Sequence, residues 1–143
     1  YGPSDLLSMN RTAIVGATMD HDAADSPESL LLGGPIQKIP EVAAKAAPIS
    51  YVSRDDPPFL IVHGTQDKLV SYNQSELLRQ TLANVGATST LVTVEGGGHG
   101  KGFGQEVFEL VERFFAHHLQ GEQVEWNDAR ILAAPQPRRP TAP

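Results

Sequence analysis

The chain has no cysteine among its 143 residues. That excludes a disulfide framework, a thiolate metal site and a cysteine nucleophile within it, and leaves secretion open, because a sizeable secreted enzyme can do without disulfides. No apolar stretch approaches the roughly 18 residues a membrane-crossing helix needs. The opening YGPSDLLSMN also lacks the charged start and apolar middle of a signal peptide. Basic clusters are missing too: 11 Lys and Arg lie scattered against 17 Asp and Glu, for a net charge of -6, which argues against nucleic acid as a partner. What remains, 40% hydrophobic and 20% charged, is the composition of one ordinary globular domain with a modest core.

From Tyr1 to Pro57 the pattern is interrupted by Pro3, Pro27, Pro35, Pro40, Pro48 and Pro57, so only short elements fit. Two helices are predicted, Pro27 to Leu32 and Pro40 to Ala46, each with proline in its favoured first turn. The regular part runs from Pro58 to Leu119. PFLIVHG ending at Gly64 and TLVTVEG ending at Gly96 are short runs rich in branched residues, and both read as strands. Between them Leu77, Leu78, Leu82 and Val85 recur at helical spacing, with Ser71 and Gln74 suiting a capping box and Gly86 a C-terminal stop. Strand, helix, strand at this spacing is a βαβ unit, so the two strands should be parallel. A final helix is predicted over Gln105 to Leu119, where Val107, Leu110, Val111, Phe114 and Phe115 form one apolar face and Gly121 stands just past the end. Residues 1–121 read as one domain, and residues 122–143, ending APQPRRPTAP, as a proline-rich flexible tail. Two strands are too few for a parallel sheet covered on both faces. The missing strands are therefore expected from an absent N-terminal half of the same domain, or from association with further copies of the chain.

Parallel strands joined by a right-handed crossover send the loops at their C-terminal ends to one rim, where open α/β sheets bind ligands. The loop after the first strand holds Gly64-Thr65-Gln66-Asp67-Lys68, and the loop after the second holds His99 within GGGHGKG. If the strands are neighbours, Asp67 and His99 share that rim. A carboxylate against an imidazole fixes the ring's tautomer and stabilises the imidazolium, which is half of a nucleophilic machine. The glycines around His99 let the loop carry the ring over the sheet edge.

At this point the residues resemble a family. PPFLIVHGTQDKLV followed by LVTVEGGGHGKGF resembles the acid strand and histidine loop of the α/β-hydrolase fold, in the carboxylesterase and lipase branch that includes prolyl-oligopeptidase-like enzymes. YGPSDL and APISYVSRDDPPFLIVHG resemble the segments before the acid strand in esterases. The triad order of that family, serine then acid then histidine, implies Asp67 as the acid and His99 as the general base. No G-x-S-x-G nucleophile elbow occurs in the chain. The expected fold is thus α/β: the C-terminal part of an α/β-hydrolase parallel sheet flanked by helices, with the N-terminal strands and the elbow absent. The implied activity is that of a serine ester hydrolase acting on small-molecule esters, inactive without its serine. No metal or organic cofactor is implied. A prolyl-oligopeptidase-type peptidase and a non-catalytic relative that binds a ligand at the same rim are the alternatives.

Other polar residues carry plainer expectations. His63 should be a packed, hydrogen-bonded core residue. Asp20-His21-Asp22 with Asp25 should be an exposed acidic loop rather than a cation site. His117 and His118 suit the C-terminal end of a helix dipole. Tyr51, Phe103 and Trp126 are open between cleft lining and ordinary packing.

Overall fold

The stretch FLIVHG gives β1, Phe59–Gly64, and STLVTVE gives β2, Ser89–Glu95. Both are branched and apolar because both faces of the sheet are covered. The computed structural model of the chain describes residues 1–123 and 127–135, and Trp126 lies outside them. The two strands pair in parallel, from Phe59 opposite Ser89 to Gly64 opposite Val94. Two short helices precede them, α1 at Pro27–Leu32 and α2 at Pro40–Ala46, at the bounds their prolines predict. Ser26 accepts from the amide of Ser29 to start α1, and Gly33 ends it in the left-handed conformation.

The crossover is α3, Asn73–Val85, ended by Gly86 in the left-handed conformation. It lies on the face presented by Ile61 and Leu91, where Leu82 is fully buried with Ala87. The opposite face shows Val92 and Val94, with Leu60 and Val62 beside them, to Val107 and Leu110 of α4, Gln105–Gln120. This alternation is the two-residue period of a strand, with a helix on each side.

Two expectations are corrected. The sheet has a third strand, β3, Ala129–Leu132, parallel to β2 with Val92 opposite Ala129 and Glu95 opposite Leu132. It lies inside the stretch read as flexible tail, and its Ile131 completes the Val92–Val94–Val107 cluster. Four residues were too few to register as an apolar run. The capping box is also absent: the first turn of α3 has no side-chain cap. Gln74 is instead fully buried, its Oε1 accepting from the amides of Ser4 at 2.9 Å and Asp5 at 2.8 Å while its Nε2 donates to Ser8 Oγ. A buried amide must use both its ends, and here it pins the N-terminal segment to the first turn of α3.

Candidate functional site

Asp67 and His99 meet. Asp67 sits in the turn after β1 and His99 in the glycine loop after β2, and Nδ1 of His99 lies 2.8 Å from Oδ2 of Asp67. Adjacent parallel strands put these loops on one rim, so a long sequence separation becomes a contact. Gly96 and Gly100, with φ of 77° and 64°, supply the left-handed turns on either side of the histidine that a residue with a side chain rarely adopts.

The carboxylate is fixed before the imidazole reaches it. Its side chain is fully buried, and Oδ1 accepts from the amides of Leu69 at 2.9 Å and Val70 at 3.0 Å. Oδ2 is thereby left facing His99. The His99 ring keeps 37% of its side-chain exposure and meets the edge of the Tyr1 ring at 4.8 Å. With Nδ1 turned to Asp67, Nε2 is the nitrogen available for proton exchange.

Two further imidazoles hold the Asp67 loop from behind. His63 is fully buried, as expected, with Nε2 at 2.9 Å from the carbonyl of Val70, Nδ1 at 2.6 Å from Ser75 Oγ, and Nε2 also 3.2 Å from Asp67 Oδ2. Because a carbonyl only accepts, Nε2 carries the proton and the neutral ring takes the Ser75 hydroxyl proton at Nδ1. His21 holds the residue before Val70: its Nε2 is 2.8 Å from the carbonyl of Leu69, and its Nδ1 is 3.1 Å from Glu28 Oε1. The Leu69 carbonyl and the Val70 amide belong to one peptide group, so that group takes a hydrogen bond from His21 on one side and gives one to Asp67 on the other. The expectation of an exposed acidic loop therefore fails for His21, which is buried, although Asp20 and Asp25 are exposed. No local pattern could reveal it, since its partner carbonyl is 48 residues away. Among the described residues, no group of three or more His, Asp or Glu is placed to hold a metal ion.

Burial lowers the pKa of His63 below its ordinary value, opposed by the Val70 carbonyl and by Asp67. Since the folded ring resists the proton that the unfolded ring takes near pH 6.5, His63 costs the fold nothing at pH 8 and destabilises it increasingly as pH falls below that value, by at most about 1.4 kcal/mol per pH unit. Urea midpoints of the wild type and His63→Gln, taken from pH 8 to pH 5, should converge as the pH drops. Parallel curves would refute this.

Two clefts open beside His99. One, of about 410 Å³, has Met19, Pro27, Leu69 and Val70 in its walls, with His21 and Glu28 at one side. The other, of about 460 Å³, includes Gln66, Lys68 and Lys101. Of the aromatic candidates, Phe103 packs on the Val92–Ile131 cluster and meets Tyr1 at 5.3 Å, while Tyr51 lines a separate hollow with Pro48 and Leu78. His118 stacks edge-on against Phe114 in the last turns of α4.

Comparison with known proteins agrees with this architecture. Residues 1–82, which include Asp67 and stop short of His99, match the family model described as BD-FAE. Esterase LipC of Mycobacterium tuberculosis is 32% identical over 77 residues, 53% of this chain and 19% of LipC. A truncated form of a carbohydrate esterase from gut microbiota superposes with a TM-score of 0.72 at 34% identity, over 82% of this chain and 40% of that one. A bifunctional GH43-CE protein of Bacteroides eggerthii gives the same TM-score at 30% identity, over 82% of this chain and 16% of that one. The chain thus spans well under half the length of these relatives. Its helix-flanked parallel sheet is of the α/β-hydrolase esterase kind, and by the match over more than half its length the chain belongs to the BD-FAE family.

Proposed function

We propose that this chain supplies the acid, Asp67, and the general base, His99, of a serine ester hydrolase whose nucleophilic serine lies outside Tyr1–Pro143. The observation that carries the reading is the 2.8 Å contact of a fully buried carboxylate with a partly exposed imidazole at the rim of a parallel sheet. The esterases among its relatives support ester hydrolysis as the reaction class. Asp67 holds the Nδ1–H tautomer, so Nε2 accepts the serine proton as the oxygen attacks the acyl carbon. The same nitrogen returns the proton to the leaving alcohol, and the cycle repeats with water in place of serine. The outer edge of β1 has no strand partner among the described residues, which leaves room for further strands of the sheet and the turn that bears the serine.

A protein extended through the sequence encoded upstream of Tyr1 tests this. A fluorophosphonate probe should label a serine in the added segment, and His99→Ala should slow the labelling by about a hundredfold or more. Absence of labelling, as in a non-catalytic relative, or labelling indifferent to His99→Ala, would overturn it.

A further inference from the structure

The loops that bring Asp67 and His99 together carry cations to the same place. Lys68 directly follows Asp67, and Lys101 stands two residues after His99. Both are exposed, and both line the cleft of about 460 Å³ that has the His99 ring in its wall. No carboxylate lines this cleft, although the chain as a whole carries a net charge of -6. Among the described residues, neither ammonium has an acidic partner within ion-pair distance. Thr18 and Gln66 add neutral polar groups. The neighbouring cleft, which also has His99 in its wall, is mostly apolar, and Glu28 is its only acidic residue. An anion would therefore meet two unpaired ammonium groups in one cleft and a largely apolar wall in the other, where the one carboxylate, Glu28, is mostly buried against His21.

We infer that the cleft beside Lys68 and Lys101 takes an anionic group of the substrate, so that the preferred esters carry a carboxylate or a similar anion on one side of the scissile bond and an uncharged group on the other. This rests on the proposed hydrolase activity and adds the charge class of the substrate to it. Ammonium groups on long stems act as point charges, so they select for charge and leave the shape of the anion open. A cleft lined by one sign of charge focuses the field and raises the local concentration of the opposite ion, an effect that salt weakens.

The test uses the upstream-extended protein and two ester pairs. 4-Nitrophenyl hemisuccinate against 4-nitrophenyl butyrate places the charge on the acyl side, and 4-acetoxybenzoate against its methyl ester places it on the alcohol side. In one of the pairs, the ratio of kcat/KM for the anionic over the neutral ester should fall about tenfold in Lys68→Gln/Lys101→Gln, mainly through KM, and several-fold in the wild type on going from 20 mM to 500 mM NaCl. The pair that responds identifies the side of the ester that enters the cleft. Glutamine, one atom shorter than lysine, keeps a polar side chain at these exposed positions without the charge, so folding should survive, and a thermal melt checks that. If the wild type hydrolyses the neutral esters and neither ratio responds to the substitutions or to salt, the inference is wrong and the hydrolase reading stands. If the wild type hydrolyses none of the four, both fall together.

Discussion

In the upstream-extended protein, Asp67→Asn should lower kcat for a simple ester by about 10³- to 10⁴-fold while leaving KM within a few-fold, because the loss falls on the transition state and spares ground-state binding. The geometry explains the size of the effect. Oδ1 of Asp67 already takes two amides, so the asparagine oxygen would stay with Leu69 and Val70 and the new amide group would face His99 Nδ1. An N–H aimed at Nδ1 needs a lone pair there, which moves the ring proton to Nε2. A protonated Nε2 cannot accept from serine. The same amide would also confront the Nε2–H of His63, 3.2 Å from Oδ2, and two donors facing each other in a buried site cost about 1–3 kcal/mol. A modest fall in stability should therefore accompany the kinetic loss, and circular dichroism separates the two. An Asn variant that folds and retains a tenth or more of the wild-type kcat would remove Asp67 from the proposed role.

How much of this was legible from residues alone depended on range. Proline in the first turn and glycine just past the last one are local signals, and α1, α2 and the ends of α3 and α4 follow them closely. The branched runs of β1 and β2 are local as well, and because parallel strands share a rim, they sufficed to bring Asp67 near His99. The misreadings concern partners distant in sequence. Gln74 reads as part of a cap because its spacing from Ser71 is right, yet burial beneath Ser4 and Asp5 gives its amide better-satisfied bonds. His21 reads as surface because acidic residues flank it, yet it is buried on the Leu69 carbonyl. The strand β3 is short and bounded by proline-containing sequence, and the partner that pays its backbone bonds is β2, far upstream. In each case a tertiary contact outweighs a correct local rule.

Gly64→Ala should be the most damaging single change outside the Asp67–His99 pair, with a loss of about 3 kcal/mol or more in stability and a fall of about a hundredfold in any activity that remains. A methyl group on Gly64 would stand 2.3 Å from the carbonyl oxygen of Gly97, 2.4 Å from its carbon and 2.7 Å from the oxygen of Gly98. These are backbone atoms, so no rotamer change relieves the overlap. The surrounding hydrogen bonds tie the same atoms together: Gln66 donates to Gly97 at 2.8 Å, and both Thr65 and Gly97 donate to the carbonyl of Val94. Separating the loops by the ångström or so that a methyl needs would break at least the Gln66 bond and draw His99 away from Asp67, in a part of the molecule where buried Asp67 and His63 cannot follow. Gly97→Ala is the matched comparison. Its added methyl would meet Val94 at 2.8 Å from Cγ1 and 3.1 Å from both Cβ and the carbonyl oxygen, a smaller overlap than at Gly64, so it should cost less than Gly64→Ala in both measurements. For a domain of this size the Gly64→Ala loss corresponds to a drop of roughly 10 °C in the melting midpoint. A drop under about 3 °C with unchanged ester turnover would show that the two loops are not locked by close backbone approach, and that something other than packing holds the imidazole in place.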